Sequence, residues 1–420
     1  MRLFDNIMRS KLKMFGITFE FIDILFAVVI LTLGLFARTY LFNIESGDFQ
    51  TAFSDWQKEI DVEGAWGYLG IDPFNSDRSS FDQNIMMQYL VCIISLFSGL
   101  IPNDLYLVKT LSVIVDYIAA FVLMKIVFEM THDSHKSVIG LALGMMLPTI
   151  VMNSGAWAQN DIIYTTFILL SFLSLLRGKD LQVFIFAGFA YVFKQQALFF
   201  IPVLIFMWLK NKLKIRYILA MPVVYFLGLI PARIAGRPWA SLLNVYSYQQ
   251  GQFSRLSLNY PNIYTVLTSD MTTNMRRMLA GTGTVIVVMM LGVMALYIYT
   301  TNFKVTRMFM LTLSVFTIEL VVYCLPCMHE RYGFVAEILA FIYGMYGMKR
   351  LCVAIGFEVI AMTTYSRYLF GSTVAYLYPF AGLLLMLICV VGYDLYQQMH
   401  GHIVEDIEDT KNKNMQEVME

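Results

Sequence analysis

The segment "LQVFIFAGFAYVFKQQALFFIPVLIFMWLKNKLKIR" (residues 181–216) decides how this chain is threaded. It is broken in its middle by Lys194, Gln195 and Gln196, and it ends on the densest basic loop of the chain, Lys210, Lys212, Lys214 and Arg216. Arg177 and Lys179 stand just ahead of it. Basic loops of membrane proteins stay in the cytoplasm, so both flanks belong on one side. The segment is therefore predicted to run out and back, as a hairpin of two short helices with Lys-Gln-Gln at its outer tip.

Working outward from that hairpin, the rest of the chain reads as membrane-embedded helix. Of 420 residues, 58% are hydrophobic and 14% charged, with a mean hydropathy of +0.63, which excludes a single water-soluble core. Apolar runs of roughly spanning length lie at 21–42, 84–101, 106–128, 137–153, 161–176, 217–235, 281–301, 308–325, 331–348, 351–365 and 374–396. The first follows Arg2, Arg9, Lys11 and Lys13, is too long for a signal sequence and lacks a small-residue cleavage site, so it is predicted to remain as a span. Thirty basic and thirty acidic residues cancel, which gives no bulk charge to attract nucleic acid. Of five cysteines, four sit inside apolar runs, which does not suggest a disulfide framework. One transmembrane domain is expected over residues 1–400, with an acidic cytoplasmic tail at 401–420 containing Glu405, Asp406, Glu408 and Asp409.

With the hairpin fixed, the span 161–176 descends from outside, and Trp157 to Asp161 face outside. Residues 43–83, with nine acids against Lys58 and Arg78, belong on that side too. Both statements hold only if the run at 84–101 does not cross. The fold expected is an all-α polytopic bundle of about twelve transmembrane helices, with both termini cytoplasmic and juxtamembrane helices in an outer loop at 43–105.

The polar residues gather at the outer ends of these spans. In "ESGDFQTAFSDWQKEI" (45–60), Phe49, Ala52, Phe53, Trp56 and Ile60 recur at helical spacing, predicting a helix lying flat in the membrane interface. Asp48 just ahead of that stripe, and Asp161 at the head of a span, are each either a helix cap or part of a site. In "CLPCMHERYGF" (324–334), the succession His329, Glu330, Arg331, Tyr332 is more than a span boundary needs. Arg331 suits Glu330, a lipid headgroup or a phosphate. Lys194 either snorkels or joins that site. Cys324 and Cys327 read as incidental, since a structural zinc needs four ligands and only His329 is near. Asp116, in the body of a span, could pair with Lys109 or Lys125, although neither stands at i,i+4 spacing from it. Polar side chains in three outer segments, each costly at membrane depth, point to one shared cavity.

Taken together, "ESGDF…SDW", "GAWAQND", "FAYVFKQQALFFIP" and "LPCMHERY" resemble bacterial members of the GT-C superfamily of integral-membrane glycosyltransferases, over motifs between residues 38 and 332. The resemblance implies transfer of a sugar from a polyprenyl-phosphate carrier to an extracytoplasmic acceptor, a cell-surface glycan or lipid-linked acceptor. It implies Asp48 and Asp161 as catalytic acids, with Asp48 the base, and Trp157, Gln159, Lys194, Gln196, His329, Glu330, Arg331 and Tyr332 as donor and acceptor contacts. A divalent metal, Mg or Mn, shared by Asp48 and Asp161 is compatible with it. Where relatives carry a Pro-rich start before the non-spanning run, this chain has "FDQNIMMQYL". Two other classes fit the composition. A transporter or flippase of lipid-linked saccharides would place polar groups at mid-membrane in inverted repeats, and no repeat is evident. A polysaccharide polymerase would use a large late loop, for which 236–276, with Arg237, Gln249, Gln250 and Arg255, is the candidate.

Overall fold

The computed structural model describes residues 8–72, 74, 84–251, 255–267, 271–371 and 376–401. Arg2, Arg78, the side chains of Gln249 and Gln250, and the acidic tail lie outside the described residues. A two-stranded hairpin, β1 (Lys11–Met14) and β2 (Ile17–Glu20), precedes α1 (Phe21–Tyr40). Then come α2 (Ser54–Gly70), α3 (Ile85–Ser95), α4 (Asp104–Thr131), α5 (Ser134–Met146), α6 (Pro148–Ala156), α7 (Asp161–Leu176), α8 (Asp180–Phe193) and α9 (Gln195–Leu209). They are followed by α10 (Ile215–Ile234), α11 (Trp239–Gly251), strand β3 (Ser257–Leu258), α12 (Thr273–Thr300), α13 (Arg307–Cys324), strand β4 (Met328–His329), α14 (Phe334–Gly344), α15 (Met348–Phe370) and α16 (Leu377–Met399).

Six of these helices, α1, α4, α10, α12, α13 and α16, are long and apolar enough to cross a membrane, or seven if α5 and α6 form one span bent by 41°. That bend has a local cause. Leu147 precedes Pro148 and is held extended, which ends α5 before α6 begins. The expected count of about twelve took every apolar run except 84–101 as a span and the opening segment as two; among the described residues several of those runs form shorter helices wrapped by others. Helix α7 has 16 residues and α14 has 11, and nearly every side chain on both is buried. Enclosed by protein, such helices need not match the bilayer's thickness.

The chain shuttles between two ends. At one, Arg177 Nε pairs with Glu129 at 2.6 Å, Arg307 meets His132 at 2.7 Å, and Lys210 Nζ donates to the Thr301 carbonyl at 2.5 Å. At the other, Lys109 Nζ donates to the carbonyls of Leu41, Phe42 and Ile44, which closes the C-terminal end of α1. The two basic flanks of the opening segment thus share one end, as its reading required. Its two helices touch near their junction at Lys194 and otherwise take different neighbours, α8 against α7 and α10, and α9 against α12 and α13. Between α1 and α4 the chain begins and ends at the second end, and α3, with 11 residues or about 16 Å of helix, is short of a crossing.

Two expectations are corrected here. The stripe of 45–60 does not lie in the interface; Phe49, Phe53, Trp56 and Ile60 are buried in the main core. They have large apolar surfaces and a protein wall to bury them against, which outweighs a lipid contact. Asp116 pairs with neither Lys109 nor Lys125 but with Arg38 of α1, whose Nε donates to it at 2.5 Å in full burial. Arg38 also donates to the Gly34 and Met145 carbonyls, and Ser154 Oγ donates to Asp116. Close approach lets this happen: a Cβ on Gly144 would lie 2.4 Å from the Ala120 Cα, and one on Gly140 2.6 Å from the Leu123 carbonyl oxygen. This small-residue spacing brings α5 onto α4.

Arg38→Ala leaves Asp116 as a buried carboxyl without its cation and is expected to cost about 3–5 kcal/mol. The double change Arg38→Met, Asp116→Leu is expected to recover most of that loss. Thermal unfolding in detergent reads both.

Candidate functional site

Asp48 opens the site. The capping role that its position suggested belongs to Ser46, whose Oγ accepts from the Phe49 amide at 3.2 Å and donates to the Trp157 carbonyl at 2.6 Å. The Asp48 carboxylate is left for other partners. Trp157 Nε1 donates to its Oδ2 at 2.9 Å, Gln159 Nε2 donates to the same oxygen, and Tyr368 Oη donates to Oδ1 at 2.6 Å. Trp157 is fully buried, stacked on Tyr368 at 4.5 Å and met edge-on by Tyr365 at 5.1 Å. Ala158 holds the loop in the left-handed region (φ 62°), a local strain that the surrounding hydrogen bonds sustain. Asp48 keeps 29% of its side chain exposed.

Asp161 does not cap its helix either. Its carboxylate accepts from Asn153 Nδ2 at 3.0 Å and from Lys194 Nζ, and Arg331 Nε lies 3.3 Å away. Lys194 is therefore an inward ion-pair partner and does not snorkel. It is the hinge residue between α8 and α9, extended at φ −154°, ψ 133°, so its side chain leaves the helical path and turns toward the head of α7.

Arg331 joins the two acids. Its Nη1 lies 3.6 Å from Asp48 Oδ2 and donates to Glu330 Oε1 at 3.1 Å, and its guanidinium sits over the Trp157 ring at 5.2 Å. The loop carrying it is fixed from both sides. Leu325, before Pro326, is extended and stops α13. Beyond it, β4 pairs in parallel with β3, and the Cys327 amide donates to the Leu256 carbonyl at 2.7 Å. Tyr332 and Gln196 hydrogen-bond each other in a buried layer beside Arg331.

Electrostatics separates the roles. Burial alone would push the Asp48 carboxyl up, but the Arg331 charge and the hydrogen bonds from Tyr368, Trp157 and Gln159 outweigh it and hold the group below its usual range. Burial pushes the His329 imidazole down to about 3, helped by the Arg331 and Lys194 charges, so it is neutral and offers a hydrogen bond, not a charge. Burial pushes Glu330 up to about 7, with Arg331 opposing.

The structure thus brings Asp48, Asp161, Trp157, Gln159, Lys194, Glu330 and Arg331 together, with His329 at the rim and Gln196 and Tyr332 in the adjoining layer. Sequence reasoning missed Tyr368, Tyr365, Asn153 and Ser46. The two tyrosines, three apart on α15, had a weak signal in "TTYSRYLF", a polar-aromatic face late in an apolar run. Asp48 and Asp161 do not fit a shared divalent ion, because the Arg331 guanidinium lies against both. Among the described residues no group of three His, Cys, Asp or Glu could hold a metal.

Because the Glu330 carboxyl is raised on folding, its ionised form is disfavoured in the native state. The stability this group contributes is expected to be lost as pH rises from about 4.5, its ordinary value, through about 7, while the depressed His329 imidazole contributes in the opposite sense. Glu330→Gln is expected to remove the Glu330 part of the pH dependence, measured as the difference between variant and wild-type melting temperatures against pH. No protein-family model matches this chain, and no curated protein is a match to it.

Proposed function

We propose that this protein is a membrane glycosyltransferase that moves a sugar from a polyprenyl-phosphate carrier to an acceptor hydroxyl, as the resemblance to the GT-C superfamily implies. The observation that carries it is the partly open Asp48 carboxylate, held ionised and aimed by Trp157, Gln159, Tyr368 and Arg331 from three separate segments. In this reading the bundle has about twelve crossings, the termini are cytoplasmic, and the site faces outside with the acceptor glycan.

The acceptor oxygen attacks the anomeric carbon as the bond from that carbon to the phosphate oxygen breaks. Positive charge grows on the sugar, and the carrier leaves as a phosphate monoester. One displacement inverts the anomeric centre. Asp48 accepts a hydrogen bond from the acceptor hydroxyl and takes its proton as the new bond forms. A carboxylate with a lowered pKa is a weak base at rest, so transfer comes late, when the attacking oxygen has become acidic. Asp161 keeps Arg331 and Lys194 in place beside it, and the indole and phenol rings give the sugar a flat wall.

Asp48→Asn is expected to lower transfer from a radiolabelled polyprenyl-phosphate sugar by about a hundredfold or more, with the melting temperature kept near wild type. Unchanged transfer by that variant sinks the reading.

A further inference from the structure

Just past Arg331 the loop closes on Gly333, a glycine that its backbone does not require. Its φ of −75° and ψ of −8° are open to ordinary residues. What the position lacks is room: a Cβ there would lie 2.8 Å from Glu337 Oε1, 3.0 Å from Tyr260 Oη and 3.2 Å from Glu319 Oε1. Oxygens from α13, from α14 and from the stretch after β3 therefore gather against one bare Cα.

This gathering is acidic and lacks a counter-charge. Glu319 and Glu337 are buried, at 1% and 3% exposure. Tyr260 Oη donates to Glu319 Oε2 at 2.7 Å, which leaves Glu319 Oε1 without a hydrogen-bond partner. Glu337 Oε2 and the fully buried Tyr365 hydroxyl have none either. Neither carboxyl forms a salt bridge among the described residues. The charges nearest Glu337 are the acids Glu319, Glu358 and Asp161, and Glu337 is in turn the charge nearest Tyr365. Glu358 is already met by the Thr149 amide at 2.8 Å and hydroxyl at 3.0 Å, and Asp161 by Lys194 and Arg331. A buried carboxyl is ordinarily paired, protonated or bound to a cation, and buried oxygens without partners mark where one belongs.

We propose that Glu319, Glu337, Tyr260 and Tyr365 form a binding site for one alkali cation, sodium or potassium. The groups that gather there present oxygens, as a hard cation requires, and two carboxyls with neutral hydroxyls carry less charge than a divalent site collects. A proton shared between the two carboxyls is the competing reading. It answers the carboxyls alone, whereas an ion also takes the Tyr260 and Tyr365 hydroxyls and uses the room kept at Gly333. The ion ties α13 and α14 to the stretch after β3 and so braces the loop that presents Arg331. Its binding stands apart from the transfer reading, since no sugar donor takes part.

The test uses the purified full chain in detergent at mildly alkaline pH, where carboxyls yield their protons to a cation most readily. Melting is followed in the chlorides of sodium, potassium and N-methylglucamine at equal ionic strength, the last cation being too bulky to enter. Sodium or potassium is expected to raise the melting temperature saturably over N-methylglucamine, and equilibrium dialysis with radioactive sodium or rubidium to retain about one ion per chain. Glu319→Gln and Glu337→Gln are each expected to raise the half-saturating concentration about tenfold or more. Gly333→Ala, whose Cβ fills the room among the oxygens, is expected to abolish the shift. Melting in N-methylglucamine establishes that each variant folds, and dialysis on the wild-type chain decides the matter where one does not. Equal melting in all three salts with no ion retained overturns the proposal and leaves the carboxyl pair holding a proton. An undiminished shift in a folded Glu319→Gln, Glu337→Gln double variant overturns it by placing the ion elsewhere. Calcium or magnesium outcompeting the alkali ions overturns the singly charged assignment.

Discussion

A guanidinium that keeps its proton at any physiological pH sits between two carboxylates, and the candidate site is arranged around that contact. Arg331 lies 3.6 Å from Asp48 and 3.3 Å from Asp161, residues that reach it from segments more than a hundred positions apart in the chain. Removing Arg331 would leave Asp161 buried without one of its two cations and Asp48 without its own, so the loops that carry the three charges are held to one geometry. A second ion pair deeper in the bundle repeats the device: Arg38 and Asp116, with Ser154, fix α1 and α4 just beneath the turn that presents Trp157. The polar end is therefore supported by charge at two levels.

Much of this was legible in the sequence because the residues concerned are costly in an apolar setting and stand out against it. Asp48, Trp157, Gln159, Asp161, Lys194 and Arg331 were each marked by polarity at a helix end, and charge asymmetry between loops was enough to put them at one end of the bundle. What sequence could not supply was pairing. Nothing local distinguishes Lys109 from Arg38 as the partner of Asp116, since the choice is made by helices crossing closely at Gly140 and Gly144. Tyr368, 320 residues from Asp48, becomes visible only when α15 is laid beside the first loop. The stripe at Phe49 and Trp56 shows the same limit: helical periodicity revealed an apolar face, but whether that face met lipid or protein depended on neighbours.

Helix lengths were the least legible feature. Hydropathy averages over breaks, so Pro148 interrupts a run that composition alone presents as continuous, whereas Lys194 and Pro326 stand at breaks that the run boundaries already marked. Each break has a local reason, an extended residue before proline or a charged hinge drawn to a buried acid, and each leaves backbone ends near the polar cluster.

The same shortness sorts the helices into two populations. Helices α1, α10 and α12 keep between 11% and 17% of their most apolar windows buried, so they form an outer jacket in contact with lipid. Helices α7 and α14, enclosed almost entirely, form an inner frame whose height is set by protein packing. The position of Asp161 at the head of α7 is then set by contacts within the inner frame, which fixes the polar centre by protein packing and not by the lipid-facing surface of the jacket.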